Sequence, residues 1–154
     1  TGKAEYFEEK SSPQRVMDIV RASSSLPFVS PISYVDSVPM LDGGIVDSIP
    51  VEYAMSQGYG KIVVILTRNK GYRKKDRPIR MAKAFYRKYP ELQKAIRRRN
   101  TEYNRTMDLI EKLEEEGKIM VIRPLKPVDV SRMEKDTAKL AALYQEGYEI
   151  ALNI

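Results

Sequence analysis

The chain has 154 residues, 27 of them Lys or Arg and 21 Asp or Glu for a net charge of +6, and it contains neither histidine nor cysteine. That length suits one ordinary domain, or part of one, and is short for an enzyme that assembles its site from several loops. The missing residue types exclude a disulfide framework, a thiolate nucleophile, a Cys-based metal site and an imidazole base or ligand, so any catalysis uses carboxylates, hydroxyls, lysines or backbone amides.

In chain order, Thr1-Gly2 is a turn pair and residues 3–7 have the pattern of a strand fragment, so the sequence is expected to begin inside a longer chain whose preceding strand is missing. Pro13 starts a helical segment with Val16, Ile19 and Val20 on one face, ended by the small-residue loop Ala22-Ser23-Ser24-Ser25-Leu26-Pro27. Pro31 and Pro39 keep the next stretch extended or turning. Met40-Leu41-Asp42-Gly43-Gly44 then sets a carboxylate after apolar residues and before two glycines, where a sharp turn lets it face a cavity. Asp47 or Ser48 is expected to cap a short helix with Pro50 in its first turn, ended by Gly58 and Gly60.

Ile62-Val63-Val64-Ile65-Leu66 is continuously apolar and mostly β-branched, the pattern of a strand covered on both faces, and Ile119-Met120-Val121-Ile122 repeats it, which predicts parallel pairing. Between them the pattern predicts one helix from Pro78 to about Tyr89 and a second from Pro90 to about Glu116. In the second, Leu92, Ile96, Tyr103, Met107, Ile110 and Leu113 recur at helical spacing. Ser131-Arg132-Met133-Glu134 reads as a capping box opening a closing amphipathic helix, with Met133, Thr137, Leu140, Tyr144, Tyr148 and Leu152 three or four residues apart. The predicted class is α/β: part of a layered, mainly parallel sheet with flanking helices, followed by a helix-rich C-terminal region.

The charge is regional. Residues 61–105 hold 16 Lys or Arg and 3 Asp or Glu, leaving 11 basic and 18 acidic residues for the remainder. Arg73-Lys74-Lys75 and Arg97-Arg98-Arg99, with Arg77, Arg80, Lys83, Arg87 and Lys88 between them and Tyr72, Tyr86 and Tyr89 interleaved, offer a surface for the phosphates of anionic lipid headgroups or of nucleic acid. A solvated helix face is the plainer reading, and nucleic acid is the least favoured partner because no nucleic-acid motif is recognisable. No apolar run approaches the roughly 20 residues of a membrane span, and the first residues lack the order of a signal peptide. A cytoplasmic or peripheral membrane address is the default expectation. Oligomeric state is not readable, although a chain lacking sheet neighbours is expected to bare an edge or apolar face that association would cover.

Thr1-Gly2-Lys3 through Tyr6-Phe7, then Ala22 through Phe28, Leu41-Asp42-Gly43-Gly44 through Pro50, and Ile62 through Thr67 together resemble, in order and spacing, the C-terminal half of a bacterial patatin-like phospholipase domain. Residues 1–70 would then be the later part of a catalytic domain. Residues 71–154, with one further strand near 118–123, resemble the helical C-terminal extension of one bacterial branch of that family. The resemblance implies an oxyanion hole from a Gly-rich loop, a nucleophilic Ser in a GxSxG elbow, and the Asp of a DG[GA] motif as its partner. Of these only Asp42-Gly43-Gly44 is present.

Asp42 would accordingly be the base, supported by Gly43 and Gly44, for a Ser upstream of residue 1, acting on a lipid or other acyl ester through an acyl-enzyme, with no metal or organic cofactor. A positioned carboxylate in a poorly solvated pocket can take a serine proton in place of the usual imidazole. In an α/β-hydrolase a His follows the acid, and none follows here. Ser23, Ser24 and Ser25 lack a GxSxG context and fit helix termination better than nucleophilic attack, and Asp47 fits a structural role.

Overall fold

Ser12 and Pro13 open the first helix. The Ser12 hydroxyl accepts the Arg15 N–H (3.3 Å) and Pro13 takes a position where its missing N–H costs nothing, so α1 runs Pro13–Ser23. The computed structural model describes residues 1–75, 81–131 and 133–153. Arg77 and Arg80, the helix start expected at Pro78, the Lys83 side chain and Arg132 lie outside the described residues. The described chain is mixed α/β and forms two compact units, each from two stretches: Thr1–Pro50 with Lys74–Arg105, and Val51–Arg73 with Thr106–Ile154.

In the first unit, Ser24 Oγ donates to Val20 O (2.8 Å) and Ser25 Oγ to Arg21 O (2.7 Å), closing α1 as the small-residue loop predicted. Residues 3–7, expected as a strand, pair with no strand among the described residues; the Tyr6 hydroxyl instead donates to the Asp47 carboxylate. The stretch bracketed by Pro31 and Pro39 is an antiparallel hairpin, β1 (Ser33–Val35) and β2 (Val38–Met40), with Tyr34 opposite Pro39. Asp36 and Ser37 turn it with φ of 49° and 65°, the twist that matches a two-residue hairpin, and Arg15 grips the Asp36 carboxylate (2.8 Å).

Pro90 separates α3 (Met81–Phe85) from α4 (Pro90–Glu115), as the sequence predicts. Ile45, Ala82, Tyr86 and Ile96 form this unit's core, with Phe28, Leu41, Val46 and Leu92 against it. Tyr86 keeps its hydroxyl satisfied there by accepting the Phe28 N–H (3.0 Å).

The second unit holds α2 (Val51–Ser56), β3 (Val63–Ile65), β4 (Met120–Ile122) and α5 (Thr137–Leu152). The short helix starts later than predicted. Pro50 precedes it, and neither Asp47 nor Ser48 caps it, because Asp47 takes the Tyr6 hydroxyl and Ser48 bonds back to Gly44 O. β3 and β4 pair in parallel as expected, with Val63 opposite Met120 and Ile65 opposite Ile122. Coverage on both faces is not observed: Val64 and Leu66 are buried, but Val63, Ile65 and Met120 are 54%, 74% and 48% exposed. Among the described residues this sheet has two strands, so every second side chain of β3 faces outward uncovered.

Met107, Ile110 and Leu113 of α4 are buried at the predicted spacing. The closing helix departs from its prediction. Glu134 accepts the N–H groups of Lys135 and Asp136, and Asp136 is the cap, accepting from Ala138 (2.9 Å) and Lys139 (3.3 Å), so α5 begins at Thr137. Its expected core stripe is bare, with Leu140, Tyr144, Tyr148 and Leu152 all exposed.

Candidate functional site

Asp42 sits between β2 and a 3-10 turn, Gly43–Ile45, whose N-cap it is. Its backbone N–H donates to Ser25 O (2.9 Å), and Ser25 is itself buried, its hydroxyl shared between Arg21 O and Ser33 Oγ (both 2.7 Å). The carboxylate is fixed by the Gly44 N–H, which donates to Oδ1 (2.7 Å); among the described residues Oδ2 has no hydrogen-bond partner. The neighbouring Ile45 side chain points into the core and anchors the turn.

The glycines serve differently from a left-handed turn, since neither has a positive φ. At Gly44 a Cβ would stand 3.0 Å from Asp42 Oδ1, so the position is small because the carboxylate folds back over it. At Gly43, which is exposed, a Cβ would meet nothing within 4 Å. Gly44 O accepts Ser48 Oγ (2.8 Å) and Arg99 Nε (3.0 Å). Two open depressions in the second unit, one along Ile62, Val63 and Met120, the other along Thr67, Pro124 and Leu143, do not include Asp42, Gly43 or Gly44.

The basic residues separate by environment. In the second unit Arg73 reaches Asp108 (2.5 Å) and Glu111 (2.8 Å), and its hydrogen bond is the main reason the Glu111 carboxyl is held down at about 2. Buried Arg123 adds to that pairing: it reaches Glu114, and its Nη1 stands 4.0 Å from Glu111, while burial lowers its own pKa. In the first unit the Lys74 ammonium lies 3.6 Å from the Tyr103 ring centroid, and Asn104 accepts the Lys74 N–H and donates to its carbonyl. Lys75 is exposed and its carbonyl accepts from Asn100 (2.9 Å). Arg97 and Arg98 are exposed on α4, whereas Arg99 turns to the Asp42 turn. Ser25, Ser48 and Arg99 were not marked by sequence as supports of Asp42. Ser48 lies four residues beyond Gly44, a back-bonding distance, but Arg99 is 55 residues away and has no local signal.

Comparison with known proteins bears on the sequence around this turn. Residues 2–55 match the family model described as Patatin-like phospholipase, and residues 89–154 match one described as a Domain of unknown function (DUF6363). The stretch around Asp42 is therefore patatin-like in sequence, as the motifs predicted. The chain is 45% identical over 56 residues to the uncharacterized protein YjjU of Escherichia coli (strain K12), an overlap of 35% of this chain and 15% of that protein. No solved structure matches.

Proposed function

We infer that this chain carries the acid of a patatin-like Ser–Asp acyl hydrolase that cleaves lipid or other acyl esters. The observation behind this is the fixed carboxylate at Asp42-Gly43-Gly44 inside the patatin-like segment, with Oδ1 held by the Gly44 N–H and Oδ2 left for a proton. In the inferred reaction a Ser hydroxyl attacks the acyl carbonyl while its proton passes to Asp42. The leaving alkoxide takes that proton as the acyl-enzyme forms, and a water deprotonated by Asp42 then releases the acid and restores the Ser. These residues contain no GxSxG elbow, so the chain by itself is expected to hydrolyse nothing.

The test is Asp42→Asn in the intact protein, assayed on a short acyl ester. A loss of at least about 100-fold in kcat is expected, the usual scale for removing a general base. Wild-type turnover would sink the inference.

A second reading, peripheral contact with anionic membrane, draws on Arg97 and Arg98, adjacent and exposed on α4. It expects binding to phosphatidylserine-containing vesicles that weakens with salt and with Arg97→Gln/Arg98→Gln. Equal binding to neutral vesicles would remove it.

A further inference from the structure

Arg99 reaches the Asp42 turn from α4, outside the patatin-like segment and inside the stretch matched as a domain of unknown function. What it holds there is the far side of a glycine. The Gly44 N–H orients the Asp42 carboxylate, and the Gly44 carbonyl, one Cα further on, accepts Arg99 Nε and Ser48 Oγ. The Gly44 N–H shares a peptide plane with the Gly43 carbonyl, which accepts the Val46 and Asp47 N–H groups, and glycine has the widest backbone freedom of any residue, so restraining the carbonyl beyond the Gly44 Cα steadies the other side of that plane. A charged donor on a carbonyl is stronger than a neutral one, and the guanidinium presents it from a planar fork.

Arg99 is also well placed to act as a fixed support. Ile96, one turn earlier on α4, is buried beside Ile45 of the Asp42 turn, so the helix and the turn share one core and the arginine starts from a set position. The site of a Cβ on Gly44 lies 3.0 Å from Asp42 Oδ1, 3.8 Å from Ser48 Oγ and 4.0 Å from an Arg99 terminal nitrogen, so all three groups converge on this one residue.

The geometry points to Arg99 as a positioning residue for Asp42. It holds the Gly44 carbonyl so that the Gly44 N–H keeps the carboxylate in one orientation, with Oδ2 free to take the proton. Arg99 touches neither substrate nor nucleophile in this role. The stretch of unknown function thereby supplies a working part of the acyl-hydrolase site. The proposal rests on Asp42 being the base.

The test measures hydrolysis of a water-soluble nitrophenyl butyrate by the intact protein. Arg99→Met is expected to lower kcat about tenfold with KM within about twofold, and Arg99→Lys, which keeps a cation and a donor, to return kcat to within about threefold of wild type. Wild-type kcat in Arg99→Met, or a loss carried wholly in KM, overturns the proposal. If Arg99→Met loses its cooperative unfolding transition, Arg99→Ala decides, since alanine keeps the helix and removes only the donor to the Gly44 carbonyl. A kcat lowered about tenfold at KM within about twofold then supports the proposal, and wild-type kcat overturns it. Asp42→Asn separates the two ideas. Activity retained there removes Asp42 as base, whereas an inactive Asp42→Asn beside a fully active Arg99→Met removes Arg99 alone.

Discussion

Gly2 and Gly43 have opposite tolerances. Gly2 has a φ of 71°, and a Cβ on it would fall 2.6 Å from the Glu91 carbonyl oxygen, a backbone atom that cannot swing aside. Gly2→Ala is therefore expected to lower stability by about 1–3 kcal/mol in urea unfolding, while Gly43→Ala stays within about 0.5 kcal/mol. Glu111 gives the chain an acid sensitivity of known sign. Its carboxyl lies at about 2 in the fold against 4.5 ordinarily, so ionised Glu111 stabilises the fold above pH 4.5 and the contribution is lost as pH falls from there toward 2. That contribution is on the order of 2 kcal/mol. Thermal unfolding followed from pH 6 to pH 2.5 should show a shallower acid decline for Glu111→Gln than for wild type.

Among the elements, the hairpin turn offers a stabilising change. Ser37 adopts φ of 65° without a side chain suited to it, so Ser37→Gly is expected to raise the denaturation midpoint by about 0.5 kcal/mol equivalent, the relief of left-handed strain less the entropy glycine adds to the unfolded chain. The turn was invisible in sequence because Asp36-Ser37 is not an Asn-Gly pair and its hold comes from Arg15, 21 residues away. α4 was legible because Leu92, Ile96, Met107, Ile110 and Leu113 keep one helical phase over many turns, and β3 and β4 because their apolar runs are unbroken. α5 was misplaced at its start because Glu134 and Asp136 are both good acceptors in adjacent turns, and local pattern alone does not say which one caps. Asp42 stood out through its glycines, while its supports depend on contacts that only folding brings together.

On the scale of the whole molecule, apolar surface remains uncovered in the second unit. Val63, Ile65 and Met120 on the sheet and Tyr144, Tyr148 and Leu152 on α5 are all exposed. This chain on its own is expected to associate with rising concentration in sedimentation velocity, and Ile65→Lys to reduce that association. A sedimentation coefficient unchanged across concentration would count against it. In the first unit, Ile45 from the patatin-like stretch is closed over by Ala82, Tyr86 and Ile96 from beyond it. A gene trimmed between the two family matches would keep the letters of the Asp42 motif and strip away the floor it stands on, so the seam seen along the sequence is no place to cut the protein.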